Sequence, residues 1–161
     1  MIDFEKNNKR ILGGFTLVEV LVSVLILTSG MLVISAVQTK SLSFNQAAYF
    51  NNAANVIGYD MLGRIRSNPV IAVNGAGYKA VLGSIPKSYP DNCVKADCTP
   101  AQLASYDINQ WKFIINERLP DGDGTISMVK TGKRRVYTIT IFFDDSKGTL
   151  PGRSVVIRVE V

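Results

Sequence analysis

The 161-residue chain has no histidine and only two cysteines, Cys93 and Cys98. Without imidazole there is no Ser-His-Asp triad and no histidine-containing zinc site, and two thiols cannot build a four-cysteine metal cage. Serine and aspartate are present, but no motif activates either as a nucleophile, so no catalytic residue is assigned and neither cofactor nor metal is expected. Proline does not occur before Pro69, so nothing of that kind interrupts a helix in the first 68 residues. Charge is scarce where it would matter most: from Phe15 to Val37 the single charged residue is Glu19. No internal repeat or low-complexity tract occurs.

What remains in that stretch is an apolar run long enough, at about 1.5 Å per helical residue, to cross a hydrocarbon layer of roughly 30 Å. It is too long for the apolar region of a secretory signal and is not followed by a small-residue cleavage site. Lys6, Lys9 and Arg10 precede it, and the first charge beyond it is Lys40. This asymmetry places residues 1–14 on the cytoplasmic side and Lys40 onward across the membrane. A carboxylate near the start of a spanning helix costs a few kcal/mol unless neutralised, so Glu19 reads as an acid awaiting a partner; the plainer alternative is a signal anchor whose Glu19 snorkels to the interface. Gly30, in mid-anchor, either loosens the helix or allows close packing with a neighbouring one.

Beyond the anchor, Leu42, Tyr49, Val56, Ile57, Met61 and Ile65 recur at helical spacings, predicting one helix from Phe15 to about Ser67 with a stripe that packs on a globular domain. Asn45, Asn51, Asn52, Asn55 and Arg64 form its polar face. Residues 68–100 are rich in Gly, Pro, Ser and Asn and predict an irregular loop with one short strand at most. In an oxidising compartment, Cys93 and Cys98 would close a small loop by a disulfide; two free buried thiols are the alternative. Thr99-Pro100-Ala101-Gln102 has the order of a capping box, opening a second helix to about Arg118 whose apolar face carries Leu103, Tyr106, Ile108, Trp111, Ile114 and Ile115. Residues 125–131, 135–143 and 154–161 have the β-branched and aromatic content of an antiparallel meander, with Gly132-Lys133 as the first hairpin turn and residues 146–152 as the second connection.

Two further patterns invite chemistry. Asp121-x-Asp123 has the start of a calcium loop but not its remaining ligands, and a plain turn accounts for it. Lys130, Lys133, Arg134 and Arg135 are the densest cationic cluster and could meet phosphate, yet only Tyr137 is available for stacking, so a solvated hairpin tip is the simpler account. The net charge of +5 does not by itself imply nucleic acid.

The segment Gly14-Phe15-Thr16-Leu17-Val18-Glu19 resembles the class III signal of type IV pilins and pseudopilins. The resemblance implies that a prepilin peptidase cuts after Gly14 and methylates the new N-terminus at Phe15. It also implies that Glu19 pairs with the N-terminal ammonium of a neighbouring subunit during assembly. Cys98 to Leu119, with Leu103-Ala104-Ser105-Tyr106-Asp107 and Trp111, is similar to the post-disulfide helix of the PilV family of minor pilins, also called type IV pilus modification proteins. The implied fold is α+β: a long N-terminal helix, half of it transmembrane, packed on a small antiparallel sheet. The implied domains are a leader (1–14), a transmembrane half-helix (15–37), an amphipathic half-helix (38–67) and a globular head (68–161). The implied role is non-catalytic: priming pilus assembly and forming the tip complex from the inner membrane, with the head in the periplasm and later on the cell surface. Its partners would be other minor pilins, the major pilin, prepilin peptidase, the inner-membrane assembly machinery and, at the tip, an adhesin; no nucleic-acid partner is expected. A minor pseudopilin of type II secretion and a DNA-uptake or adhesion pilin are the alternatives.

Overall fold

Thr16 opens the first helix. Its hydroxyl oxygen accepts the Glu19 N–H at 3.3 Å, which satisfies one of the donors that the first turn leaves free. From there α1 (Leu17–Ser67) runs without interruption through Gly30. The computed structural model describes residues 14–74, 77–132, 134–146, 148–149 and 151–161. The expected leader up to residue 13 and Lys133 of the first hairpin turn lie outside the described residues. The chain forms two compact units, Met1–Ser43 and Phe44–Val161.

In the first unit α1 is long and apolar enough to cross a membrane, and its side chains from Leu17 to Val37 are exposed within the chain. Its hydroxyls do not need water. Ser23 donates to Glu19 O (2.7 Å), Thr28 to Leu25 O (3.0 Å), Ser29 to Ile26 O (2.8 Å), Ser35 to Met31 O (3.0 Å) and Thr39 to Ser35 O (3.0 Å). Each of these five hydroxyl hydrogens is therefore satisfied inside the helix, as a hydrocarbon surround demands.

In the second unit α1 buries Ala54, Ile57, Gly58, Met61, Leu62 and Ile65. The stripe expected from periodicity is corrected in part: Leu42, Tyr49 and Val56 are exposed, whereas Ile57, Met61 and Ile65 are buried as expected and are joined by Ala54, Gly58 and Leu62. Gly58 is one of these. A Cβ there would stand 2.6 Å from Ile157 Cδ1, so the missing side chain lets the sheet approach.

The stretch after α1 is more ordered than its composition predicts. Pro69 occupies the first position of a short helix, α2 (Pro69–Asn74), where its missing N–H costs nothing. A second short helix, α3 (Asn92–Lys95), follows. The single-strand expectation reduces to one bridge, with Ala80 and Ile126 exchanging both backbone hydrogen bonds (3.0 and 3.1 Å).

Helix α4 (Pro100–Arg118) begins at the expected capping box, with Thr99 and Gln102 satisfying each other's backbone N–H groups. Three strands follow, β1 (Asp123–Thr131), β2 (Arg134–Phe143) and β3 (Arg153–Glu160), in an antiparallel sheet of that order. Alternation sends Tyr137, Ile139, Ile141 and Phe143 into the core. Gly132, at φ +61°, takes the left-handed conformation the tight hairpin needs. Trp111, fully buried and donating to Ile57 O at 3.2 Å, joins α4 to α1. Gly124 leaves room for its ring, since a Cβ there would lie 2.4 Å from Trp111 Cη2.

Candidate functional site

The residues singled out from the sequence occupy two places. Gly14 and Phe15 precede α1, and Phe15 is 83% exposed. Glu19 lies in the first turn of α1, where the unpaired N–H groups and the helix dipole favour an anion. Its backbone N–H donates to Thr16 O (3.1 Å) as well as to the Thr16 hydroxyl, but no ion pair among the described residues uses its carboxylate. Thr16 was not singled out from the sequence, although Thr16-x-x-Glu19 has the same order as the capping box at Thr99. The surrounding apolar run drew attention to the acid instead.

Cys93 and Cys98 form a disulfide. It closes α3 into a loop immediately before the Thr99 cap, so the cross-link and the start of α4 adjoin. Tyr89 sits edge-on to Phe113 of α4, with ring centroids 5.6 Å apart.

Two polar networks inside the head were not legible beforehand. The first joins α1 to α4. Arg64 donates to Asp60 Oδ2 (2.8 Å), to Asp107 Oδ1 (3.2 Å) and to Gln110 Oε1. Tyr78 donates to Asp107 Oδ2 (2.8 Å), while Asn68 donates to Tyr78 Oη (3.3 Å) and Pro100 O (2.8 Å). Gln110 donates onward to Tyr106 Oη (2.9 Å) and to Tyr89. Arg64, expected on the polar face of α1, is instead turned into the head. The expected apolar face of α4 is corrected in the same way: Asp107, Gln110 and Lys112 are buried, whereas Leu103, Ile108 and Ile114 are only half-buried.

Burial pushes the Tyr78 hydroxyl well above the ordinary tyrosine range, and its bond to Asp107 adds to the shift. Burial also raises Tyr137, which donates to Ala72 O at 2.8 Å. A raised tyrosine pKa makes the folded state hold its proton more tightly than the unfolded chain does. The resulting stability is complete below about pH 10 and is lost as pH rises toward the folded-state value. The denaturant midpoint of the head is thus expected to fall as pH rises above about 10. Tyr78→Phe should make that fall shallower while lowering stability at neutral pH by about 1 kcal/mol, the worth of one buried hydrogen bond. An unchanged pH slope in Tyr78→Phe would contradict the assignment.

The second network explains Asp121-x-Asp123. Lys112, 1% exposed, places its ammonium 3.0 Å from Asp123 Oδ1 and also donates to Val81 O. Asp123 accepts further bonds from the N–H groups of Gly83 and Gly124, both 2.7 Å. Burial alone would raise the Asp123 carboxyl, but these three donors outweigh it and hold it below the usual carboxylate range. Asp123 is thus an anchor for the 79–83 segment. Asp121 takes a turn conformation with φ +49°, and no cluster of three or more metal-ligating side chains occurs among the described residues.

The basic hairpin is partly engaged within the chain. Arg134 pairs with Glu160 (3.4 Å), and Arg135 donates to Val73 O (2.7 Å). Fold and site together define an α+β chain with one N-terminal helix fit to span a membrane and a small, disulfide-bearing head. Comparisons with protein-family models, with curated proteins and with solved structures found no match.

Proposed function

We propose that this chain is a minor pilin: a membrane-anchored, non-catalytic subunit that helps prime type IV pilus assembly and takes a place in the tip complex. The observation that carries the proposal is Glu19, a carboxylate in the first turn of an apolar helix with no ion-pair partner among the described residues. A charge placed in hydrocarbon calls for an opposite charge, and the N-terminal ammonium released at Phe15 on a neighbouring subunit supplies one at the matching depth. The α+β layout supports the same reading, with a long helix whose second half packs on a three-stranded sheet. So do the exposed apolar side chains of the anchor, which suit contact with lipid or with neighbouring helices.

The mechanism is a transfer between environments. Before assembly, the apolar side chains of α1 dissolve the subunit in the inner membrane. During assembly they pack against the helices of other subunits while the Glu19 ion pair sets the axial register. The head, held rigid by its two polar networks and its disulfide, selects which subunits adjoin it. Processing provides the direct test. Mass spectrometry of the protein from cells with an active prepilin peptidase is expected to find a chain beginning at a methylated Phe15. Gly14→Lys should leave the full-length chain uncut in the membrane. An intact leader in the parent protein would sink the proposal.

A further inference from the structure

Between α4 and the 77–84 segment lies a half-open cleft of about 340 Å³, inside the roughly 300–1,000 Å³ range of pockets that take small molecules. Periodicity builds its helical wall: Ser105, Ile108, Asn109 and Lys112 fall at i, i+3, i+4 and i+7 of α4 and so share one face. The other wall is held in place from behind. The Lys112 ammonium donates to Val81 O, Asp123 accepts the Gly83 N–H at 2.7 Å, and Ala80 is bridged to Ile126 on β1. A cleft fixed before its ligand arrives loses little affinity to ordering.

The lining narrows what fits. Lys79 and Lys112 border the cleft, and no acidic, arginine or aromatic side chain does. Lys112 is matched to Asp123 at 3.0 Å. The exposed Lys79 joins no ion pair among the described residues and is left as the uncompensated charge. The hydroxyls of Ser84 and Ser105 and the carboxamide of Asn109 are likewise exposed and without a hydrogen-bond partner among the described residues. Hydroxyl and carboxamide groups both donate and accept, as the hydroxyls of a saccharide do. Ala80, Val81 and Ile108 offer apolar contact to the carbon skeleton between such hydroxyls. We propose that this cleft binds a hydroxyl-bearing carboxylate of the uronic-acid type, with Lys79 meeting the carboxylate and Ser84, Ser105 and Asn109 meeting the hydroxyls.

One uncompensated ammonium suits a single negative charge. Phosphate groups carry close to two, and their sites use guanidinium forks or helix N-termini. The cleft has neither, since Ser105 lies more than a turn inside α4. A neutral sugar would use the hydroxyls but leave Lys79 without a counter-charge. With no aromatic face on which a ring can stack, the expected affinity is weak, with Kd in the millimolar range.

The isotope-labelled full-length protein in an amine-oxide detergent allows a direct test by amide spectra, and pilus assembly plays no part in it. Glucuronate is expected to shift residues 79–84 and 105–112 saturably, while inorganic phosphate gives no saturable shift there. Glucose should bind about tenfold more weakly than glucuronate, the worth of one hydrogen bond to a charged group. Lys79→Gln should bring glucuronate down to the level of glucose. Ser105→Leu, which fills the cleft from an exposed position, should abolish the response, whereas Lys130→Gln on the hairpin should change nothing. Unchanged amide positions away from the cleft confirm folding of each variant. Absence of a saturable response to glucuronate, or glucose binding as tightly, would overturn the proposal. So would saturable binding of phosphate at the same residues, or parental affinity in a folded Lys79→Gln or Ser105→Leu.

Discussion

Glu19→Ala is expected to leave the protein inserted, processed and at normal abundance in the membrane, yet absent from sheared filaments. The helix itself should tolerate the change. Alanine keeps the N–H that Thr16 accepts and has the best intrinsic helix propensity, and the lost interaction of an acid with the helix dipole is worth about 0.3 to 1 kcal/mol. Pairing in low dielectric is a larger quantity. An uncompensated ion there carries an effective penalty of several kcal/mol, so under the proposed pairing deleting the acid would leave the neighbouring ammonium to bear it. Glu19→Gln should behave as alanine does, because a neutral amide cannot compensate that charge. Glu19→Asp should keep part of the incorporation, since the charge survives on a shorter stem. Immunoblots of membrane and filament fractions provide the measurement. Parental amounts of Glu19→Ala in filaments would refute the assembly role.

The second large effect is expected inside the head. Asp123→Asn is nearly isosteric but removes the charge facing Lys112, leaving an ammonium that is 1% exposed with only neutral acceptors around it. Breaking one side of a buried ion pair costs about 3 to 5 kcal/mol, a large part of the roughly 5 to 15 kcal/mol that holds a domain folded. Thermal unfolding of the full chain in detergent, followed by near-ultraviolet dichroism of Trp111, should show a midpoint lower by at least about 10 °C. Amide exchange should rise first at Gly83, whose N–H Asp123 accepts. The double variant Lys112→Met with Asp123→Leu is expected to recover much of the loss, because it removes both charges together. Acid should act in the same direction as Asp123→Asn. The carboxyl is depressed in the folded state, so its contribution is present above the ordinary value of about 4 and disappears as pH falls through the folded value. If Asp123→Asn unfolds at the parental temperature, Lys112 is not the buried partner described.

Much of the architecture was readable because it is set locally. Thr99 and Gln102 lie three residues apart, and the box they form was visible as such. Alternation in residues 137–143 assigned the core face of β2 without knowledge of its neighbours. The same locality explains two misreadings. Periodicity marks a face of α1 but not where the head begins along it, so Leu42, Tyr49 and Val56 were grouped with residues that are in fact buried. Composition suggested a loop at Asn68-Pro69, although proline is well suited to the first turn of α2.

The buried polar groups were missed for a different reason. Arg64 and Asp107 are 43 residues apart in the chain, and Lys112 on α4 meets an acid on β1 and a carbonyl at Val81. A lysine on a helix ordinarily signals a solvated surface, and only its neighbours in space reverse that expectation.

The sequence by itself determined the membrane-compatible helix, the isolated acid at its start, the cap at Thr99 and the three strands, because each depends on residues within a few positions of one another. Tertiary structure alone decided which charges are buried and how they are matched, and that Asp123 serves a lysine. These depend on which distant segments meet, and a buried charge is tolerated only where that meeting supplies its partner.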